Sequence, residues 1–533
     1  MRQEGAAPAA QRAHSPRQVG ACPGAFHPAG ATRGTSAADR AVPAPRPLAG
    51  NAGETGWRLT RGALERGRGA SPAASGRDAA AAEPDARLRF RCLGAEFRSQ
   101  TVSKVTACET LPQAPAFSYR DAELWCEDVP LRRLGEAVGT PAYVYSHASL
   151  AANFHAFSKP FAAIPHLICF AVKANGNLAI LRLLGNEGAG ADIVSGGELF
   201  RAVRAGIEPR RIVFSGVGKT HAELRAALEA DILMLNIESG QELQALQAAA
   251  AEVGRSAPIA LRVNPDVDPQ THPYIATGLK KSKFGLAPEA ALQLYAEATR
   301  LPNISVIGIH IHIGSQITSV GPFCEAVAKE LELVRRLRES GIDLHYLDIG
   351  GGLGIQYADE APPRPEEFAQ ALAPLLSDTN CTLIVEPGRA IVGNAGVLLT
   401  RVLYEKETAA KHFYIVDAAM NDLLRPSIYG AYHDILPAQR RQRGDIVADV
   451  VGPICESGDF LARDRHLGRL DQGELLAVLS AGAYGFSMSS NYNARPRVVE
   501  VLVKGDEFHV IRERETYADL VAGECIPPFL ERP

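Results

Sequence analysis

The chain has no apolar run approaching the roughly 18 residues that a membrane helix needs. Its nine cysteines are scattered, with no Cys-x-x-Cys pair and no histidine–cysteine cluster at zinc spacing. That pattern argues against a disulfide framework and against a metal site, and it suits a reducing cytoplasm. Charge of one sign is also missing. Lys and Arg number 56 against 60 Asp and Glu, for a formal net charge of −4, so nothing points to nucleic acid as a partner. No Gly-x-Gly-x-x-Gly opens a helix after the first strand-like run, which counts against a dinucleotide-binding sheet. What is left is a soluble globular protein of 533 residues, long enough for two or more domains.

Residues 1–112 also lack something, namely periodic apolar positions. They are rich in Ala, Arg, Gly and Pro, and basic residues outnumber acidic ones. Such a segment cannot bury enough apolar surface to offset its chain entropy, so it is expected to be disordered. Its Asp and Glu content fits poorly with a transit peptide, and it has no continuous apolar core for a secretory signal. Upstream sequence included by a misplaced start is the simplest reading.

The rest of the chain has a clear rhythm. Short apolar runs at 166–172, 190–194, 211–214, 232–236, 258–263, 306–311, 345–349 and 382–385 alternate with amphipathic stretches. Continuous Val/Ile/Leu runs joined by helices predict a parallel sheet covered on both faces. Eight such units predict a (β/α)8 barrel over 148–394, with a doubly wound open sheet as the alternative. In a barrel all eight strand ends meet on one rim. There they would gather Lys173, Ser195-Gly196-Gly197-Glu198, His312 with Ser315, Gly350-Gly351-Gly352, and Glu386-Pro387-Gly388-Arg389. Lys173 ends a buried run, and burial lowers an amine's pKa, the property a Schiff-base lysine uses. The three glycines can bring their backbone N–H groups close to an anion, and the loops after strands seven and eight of a barrel often hold phosphate.

The motifs Phe-Ala-Val-Lys-Ala-Asn at 170–175, His-Ile-Gly-Ser-Gln at 312–316, Asp-Ile-Gly-Gly-Gly at 348–352 and Glu-Pro-Gly-Arg at 386–389 resemble those of the fold-type III pyridoxal-phosphate decarboxylases. The resemblance covers about residues 116–530. It implies an alanine-racemase-like barrel, a second, mostly antiparallel β domain, pyridoxal 5'-phosphate as cofactor, and a homodimer with shared active sites. Carried over by position, Lys173 would hold the cofactor covalently and His312 would stack on its ring. Ser315, Gly352 and Arg389 would hold its phosphate, with Gly351 and Gly388 also in the cofactor site, although Arg389 has a second possible role on a substrate carboxylate. Glu386 would pair with the pyridine nitrogen and keep it protonated, which favours decarboxylation over racemisation. Phe170 departs from the tyrosine usual in the first motif and removes one hydroxyl.

After residue 395 the pattern changes to strands without long helices, at 397–405, 413–417, 446–452, 475–481 and 498–503, which predicts a β domain over 395–533. The segment 113–147 is expected to pack with it. The resemblance places substrate recognition here, on Arg425, Tyr429 and Glu456, with Tyr484 near both cofactor and substrate. Cys455 would be the general acid, supplied by the other subunit. An arginine with a glutamate suits meso-diaminopimelate, whose distal end carries a carboxylate and an ammonium. The rival reading is an ornithine- or arginine-type basic amino-acid decarboxylase of the same fold.

Overall fold

The computed structural model describes residues 109–111, 114–272, 275, 277–279 and 282–531. The segment expected to be disordered lies almost wholly outside the described residues.

Strands β1 (Glu109–Leu111), β2 (Ala114–Arg120), β3 (Glu123–Cys126) and β4 (Val129–Pro130) form a small antiparallel sheet. Helix α1 (Leu131–Val138), strand β5 (Ala142–Ser146) and helix α2 (His147–Ser158) then lead to the barrel. Its strands are β6 (His166–Ala171), β7 (Gly190–Ile193), β8 (Ile212–Phe214), β9 (Met234–Ile237), β10 (Ala257–Val263), β11 (Ile304–Ile311), β12 (Tyr346–Asp348) and β13 (Thr382–Val385). They pair in parallel in sequence order, and β13 returns to β6 to close the ring. All eight predicted runs are strands of one barrel, so the open-sheet alternative falls.

Helices α3 (Leu178–Asn186), α4 (Gly196–Ala205), α5 (His221–Ala230), α6 (Gly240–Val253), α7 (Pro288–Ala298), α8 (Gly321–Glu339) and α9 (Pro365–Leu376) cover the outside, and α10 (Arg389–Val392) follows β13. Local sequence starts several of them. Ser195 and Ser239 accept hydrogen bonds from the N–H groups of Glu198 and Glu242, and Thr220 with Glu223 forms a reciprocal cap. Inside the barrel, Leu167, Cys169, Val213, Met234, Ala260 and Ile384 pack together. Asp192, Asn236, His310 and Asp348 are also buried there, each at or next to the last residue of its strand. The barrel interior is therefore apolar except beneath the rim.

One buried acid outside the site stands without a partner among the described residues. Glu330 on α8 is fully buried, and neither carboxylate oxygen has a hydrogen-bond partner among the described residues. Burial pushes its carboxyl well above the usual range. The unfolded chain releases this proton near pH 4.3 while the folded chain keeps it, so stability falls as pH rises above that value, by roughly 1.4 kcal/mol per unit until the folded group also titrates. Glu330→Met is expected to raise the urea midpoint strongly at pH 8 and much less at pH 5. A gain equal at both pH values would contradict the assignment.

The second domain comprises β14 (Gly396–Glu407), β15 (His412–Val416), α11 (Arg425–Tyr429), β16 (Ile435–Pro437), β17 (Asp445–Val451), β18 (Phe460–Gly468), β19 (Leu475–Val478), β20 (Val499–Lys504) and β21 (Glu507–Arg512). Its main sheet runs β18-β17-β15-β14-β5-β20-β21, and β19 pairs with β14 and β16. Pairing is antiparallel except between β15 and β17 and between β5 and β20. Phe117, Leu124 and Leu131 of the N-terminal segment share an apolar cluster with Val397, Leu399 and Val501 of this domain. Three strands, β16, β18 and β21, were not expected. β18 carries Arg463, Asp464 and Arg465, and it and β21 lie at the two ends of the sheet. An end strand with a wet face keeps little of the apolar signal that marks a strand.

Candidate active site

Lys173 follows β6 in a short helical turn, and its Nζ donates to Asp192 Oδ2 at 2.5 Å. Asp192 is fully buried on β7. Burial alone would lower the amine's pKa, as expected from the sequence, but Asp192 and Glu386 outweigh it and hold the ammonium above its ordinary value. The lysine is thus poised by an ion pair and not by desolvation. Burial raises Asp192 to about 6. A second cavity of about 400 Å³ reaches Lys173 beside Glu198, whose carboxyl is raised to about 7 by burial.

His312 Nδ1 accepts the N–H of Gly351 at 3.1 Å, so its proton sits on Nε2. Burial, with Arg262 and Lys173, pushes this ring well below its usual pKa and keeps it neutral. Glu386 follows β13 and is buried. Burial would raise its carboxyl, but His310, with Nε2 at 3.6 Å, and Lys173 bring it to about 2. The Oε1 atom of Glu386 is buried without a hydrogen-bond partner among the described residues. Asp348 completes this group, with ligand atoms of His310, Asp348 and Glu386 within 4.8 Å of one another. Glycine is required alongside. A Cβ at Gly351 would lie 2.0 Å from the Glu386 carbonyl oxygen, and one at Gly352, where φ is +116°, would lie 2.2 Å from that of Gly314.

Arg389 is buried and donates to Ser315 Oγ at 3.0 Å and to the Tyr357 hydroxyl at 2.7 Å. Arg425, at the start of α11, donates to His433 Nε2 at 2.8 Å and lies 4.5 Å from the Tyr357 ring centroid. The Tyr484 ring lies 4.9 Å from the Arg389 guanidinium, and the Tyr484 N–H donates to the Ala174 carbonyl beside Lys173.

Lys173, His312, Ser315, Gly352, Glu386, Gly388, Arg389, Arg425, Tyr429 and Tyr484 all line one cavity of about 220 Å³, and Gly351 is hydrogen-bonded to the lining His312. Cys455 and Glu456 do not. Both are exposed, with the Cys455 N–H donating to Asn493 Oδ1 and Glu456 accepting from the Tyr492 hydroxyl. A single chain therefore leaves these two predicted residues away from the cavity. Sequence reading missed Asp192, His310, Asp348, Tyr357 and His433. The first three carried a signal, a charged or titratable side chain inside an otherwise apolar run.

The cavity suits pyridoxal phosphate on its own terms. It offers a buried, unpartnered carboxylate oxygen for a protonated ring nitrogen, a neutral imidazole for the ring face, and glycines, a serine and an arginine for phosphate. Residues 147–393 match the pyridoxal binding domain of the pyridoxal-dependent decarboxylases. A diaminopimelate decarboxylase of Pseudomonas aeruginosa is 55% identical over 412 residues, which is 77% of this chain and 99% of that protein. The chain belongs to the diaminopimelate decarboxylase family.

Solved structures of the family agree with this. The diaminopimelate decarboxylase of Helicobacter pylori, crystallised with L-lysine, is 43% identical and superposes with a TM-score of 0.72 over 74% of this chain and 98% of its own. That of M. jannaschii, also in complex with L-lysine, gives 39% identity and a TM-score of 0.76, covering 79% of this chain and all of its own. Among the described residues no helix is long and apolar enough to cross a membrane.

Proposed function

We propose that this chain decarboxylates meso-2,6-diaminopimelate to L-lysine and CO₂, the last step of lysine biosynthesis, as a cytoplasmic homodimer. The carrying observation is that Lys173 and Glu386 share one cavity with Arg389 and Arg425. Pyridoxal phosphate, when bound, supplies the electron sink for the pair left by departing CO₂. Lys173 would hold it, His312 would cover its ring, Glu386 would keep its ring nitrogen protonated, and Gly352 with Ser315 would take its phosphate. Arg389 sits between Ser315 and Tyr357, so it can serve phosphate, substrate carboxylate, or both.

Arg425 and Tyr429 would hold the substrate's distal carboxylate. A substrate ending in a bare amine would leave the Arg425 charge buried and unanswered, which disfavours the ornithine or arginine reading. Glu456 of a second copy would meet the distal ammonium. Cys455 of a second copy would give its Sγ proton to the carbon that loses CO₂. Both residues are exposed in the single chain, which supports a role toward a neighbour's cavity. The cysteines of the described region are free thiols, in keeping with a reducing compartment.

The test is CO₂ release from meso-diaminopimelate, compared with ornithine and arginine. Arg425→Ala is expected to lower kcat/KM on diaminopimelate on the order of 10²-fold, the loss for one charged hydrogen-bonding partner. Turnover of ornithine with none of diaminopimelate would sink the reading.

A further inference from the structure

Arg389 and Arg425 are two buried cations. Neither has a carboxylate within ion-pair distance among the described residues, and both lie against Tyr357. Arg389 is tied by two hydrogen bonds to hydroxyl groups. Among the described residues the Arg425 guanidinium has one side-chain acceptor, His433 Nε2 at 2.8 Å.

His433 is itself fully buried, and its Nδ1 lies 2.8 Å from the carbonyl oxygen of Leu479. A carbonyl only accepts and a guanidinium only donates. The ring is therefore neutral, with its proton on Nδ1 and its lone pair on Nε2. Burial and the Arg425 charge push its pKa down to about 3, in keeping with that state. The ring is anchored through the backbone as well. Leu479 N–H donates to the Asp434 carbonyl, the β16–β19 pairing begins at the next pair, Ile435 with Val478, and Arg465 donates to the His433 carbonyl. The Tyr357 ring meets the imidazole edge-on, with centroids 5.2 Å apart at 77°.

We propose that His433 is a positioning residue for Arg425: a neutral acceptor that aims the guanidinium into the cavity without neutralising it, and so sets the preference for ligands with a distal carboxylate. This rests on the functional reading above and deepens it. A carboxylate in place of His433 would orient Arg425 equally well but would satisfy its charge and compete with the substrate. An apolar residue would leave Arg425 and the Leu479 carbonyl each short of a partner. A neutral imidazole with a fixed tautomer orients the arginine and leaves its charge available.

The experiment uses the full-length holoenzyme and two variants. His433→Asn can still donate to Leu479 but is too short to accept from Arg425, whereas His433→Gln can reach the guanidinium. Binding of L-lysine, which keeps the distal carboxylate, is compared with binding of 1,5-diaminopentane, which lacks it. His433→Asn is expected to weaken L-lysine about 10–100-fold, the value of one charge-assisted hydrogen bond, while 1,5-diaminopentane changes by less than about twofold. KM for meso-diaminopimelate should rise in parallel, with kcat within a few-fold. His433→Gln should recover most of the lysine affinity. Equal losses on both ligands, unchanged lysine affinity in His433→Asn, or a glutamine variant as weak as the asparagine one would each overturn the proposal. A wild-type protein that releases no CO₂ from meso-diaminopimelate and binds no L-lysine would instead overturn the functional reading beneath it.

Discussion

Lys173→Ala is expected to yield a folded protein without the visible absorbance near roughly 420 nm of a lysine-bound cofactor, and with CO₂ release slowed on the order of 10⁴-fold or more. The size follows from the site. Lys173 is the one amine among the side chains that line the cavity, while Lys219 is engaged by Glu242 and by the Gly216 and Asn236 carbonyls. No other described side chain that lines the cavity offers an amine for covalent attachment. The folded state should survive, because the Lys173 side chain is one-third exposed and its strand is held by Phe170 and Cys169 in the core. Removing Lys173 leaves Asp192 buried without its cation, so a lower thermal midpoint is expected as well. A coloured, active Lys173→Ala protein would refute the assignment.

Mixing two inactive variants should restore activity. Lys173→Ala and Cys455→Ala are each expected to be nearly inactive. Random pairing after co-expression puts about half of the chains' dimers in the mixed form, each with one intact site if Cys455 acts across the interface, so roughly a quarter of wild-type activity should return. The physical basis is that Cys455 and Glu456 are exposed and remote from their own chain's cavity. A mixture no more active than either parent would show that the cysteine does not act between subunits.

The catalytic rim was legible because barrel topology does the gathering. Once eight apolar runs are read as parallel strands, Lys173, His312, Gly350–Gly352 and Glu386 must face the same side, whatever lies between them. The β domain was less legible. β18 was missed because its wet face breaks the apolar alternation, and the parallel pairings of β5 with β20 and of β15 with β17 join segments distant in sequence. The charge state of Lys173 was misjudged for a related reason. The apolar run before it suggests burial alone, while Asp192, 19 residues further on, reaches it from the next strand.

The sequence by itself determined the barrel and the identity of the rim residues, because strand periodicity and strand ends are local properties of the chain; the kind of cofactor came from the resemblance of the rim motifs to a known family. Only the tertiary structure decided how those residues are held: Lys173 on Asp192, Glu386 on His310, and Arg425 on His433 and Tyr357. These partnerships depend on burial and on the approach of remote segments, which lower the local dielectric and make one buried carboxylate or imidazole decisive.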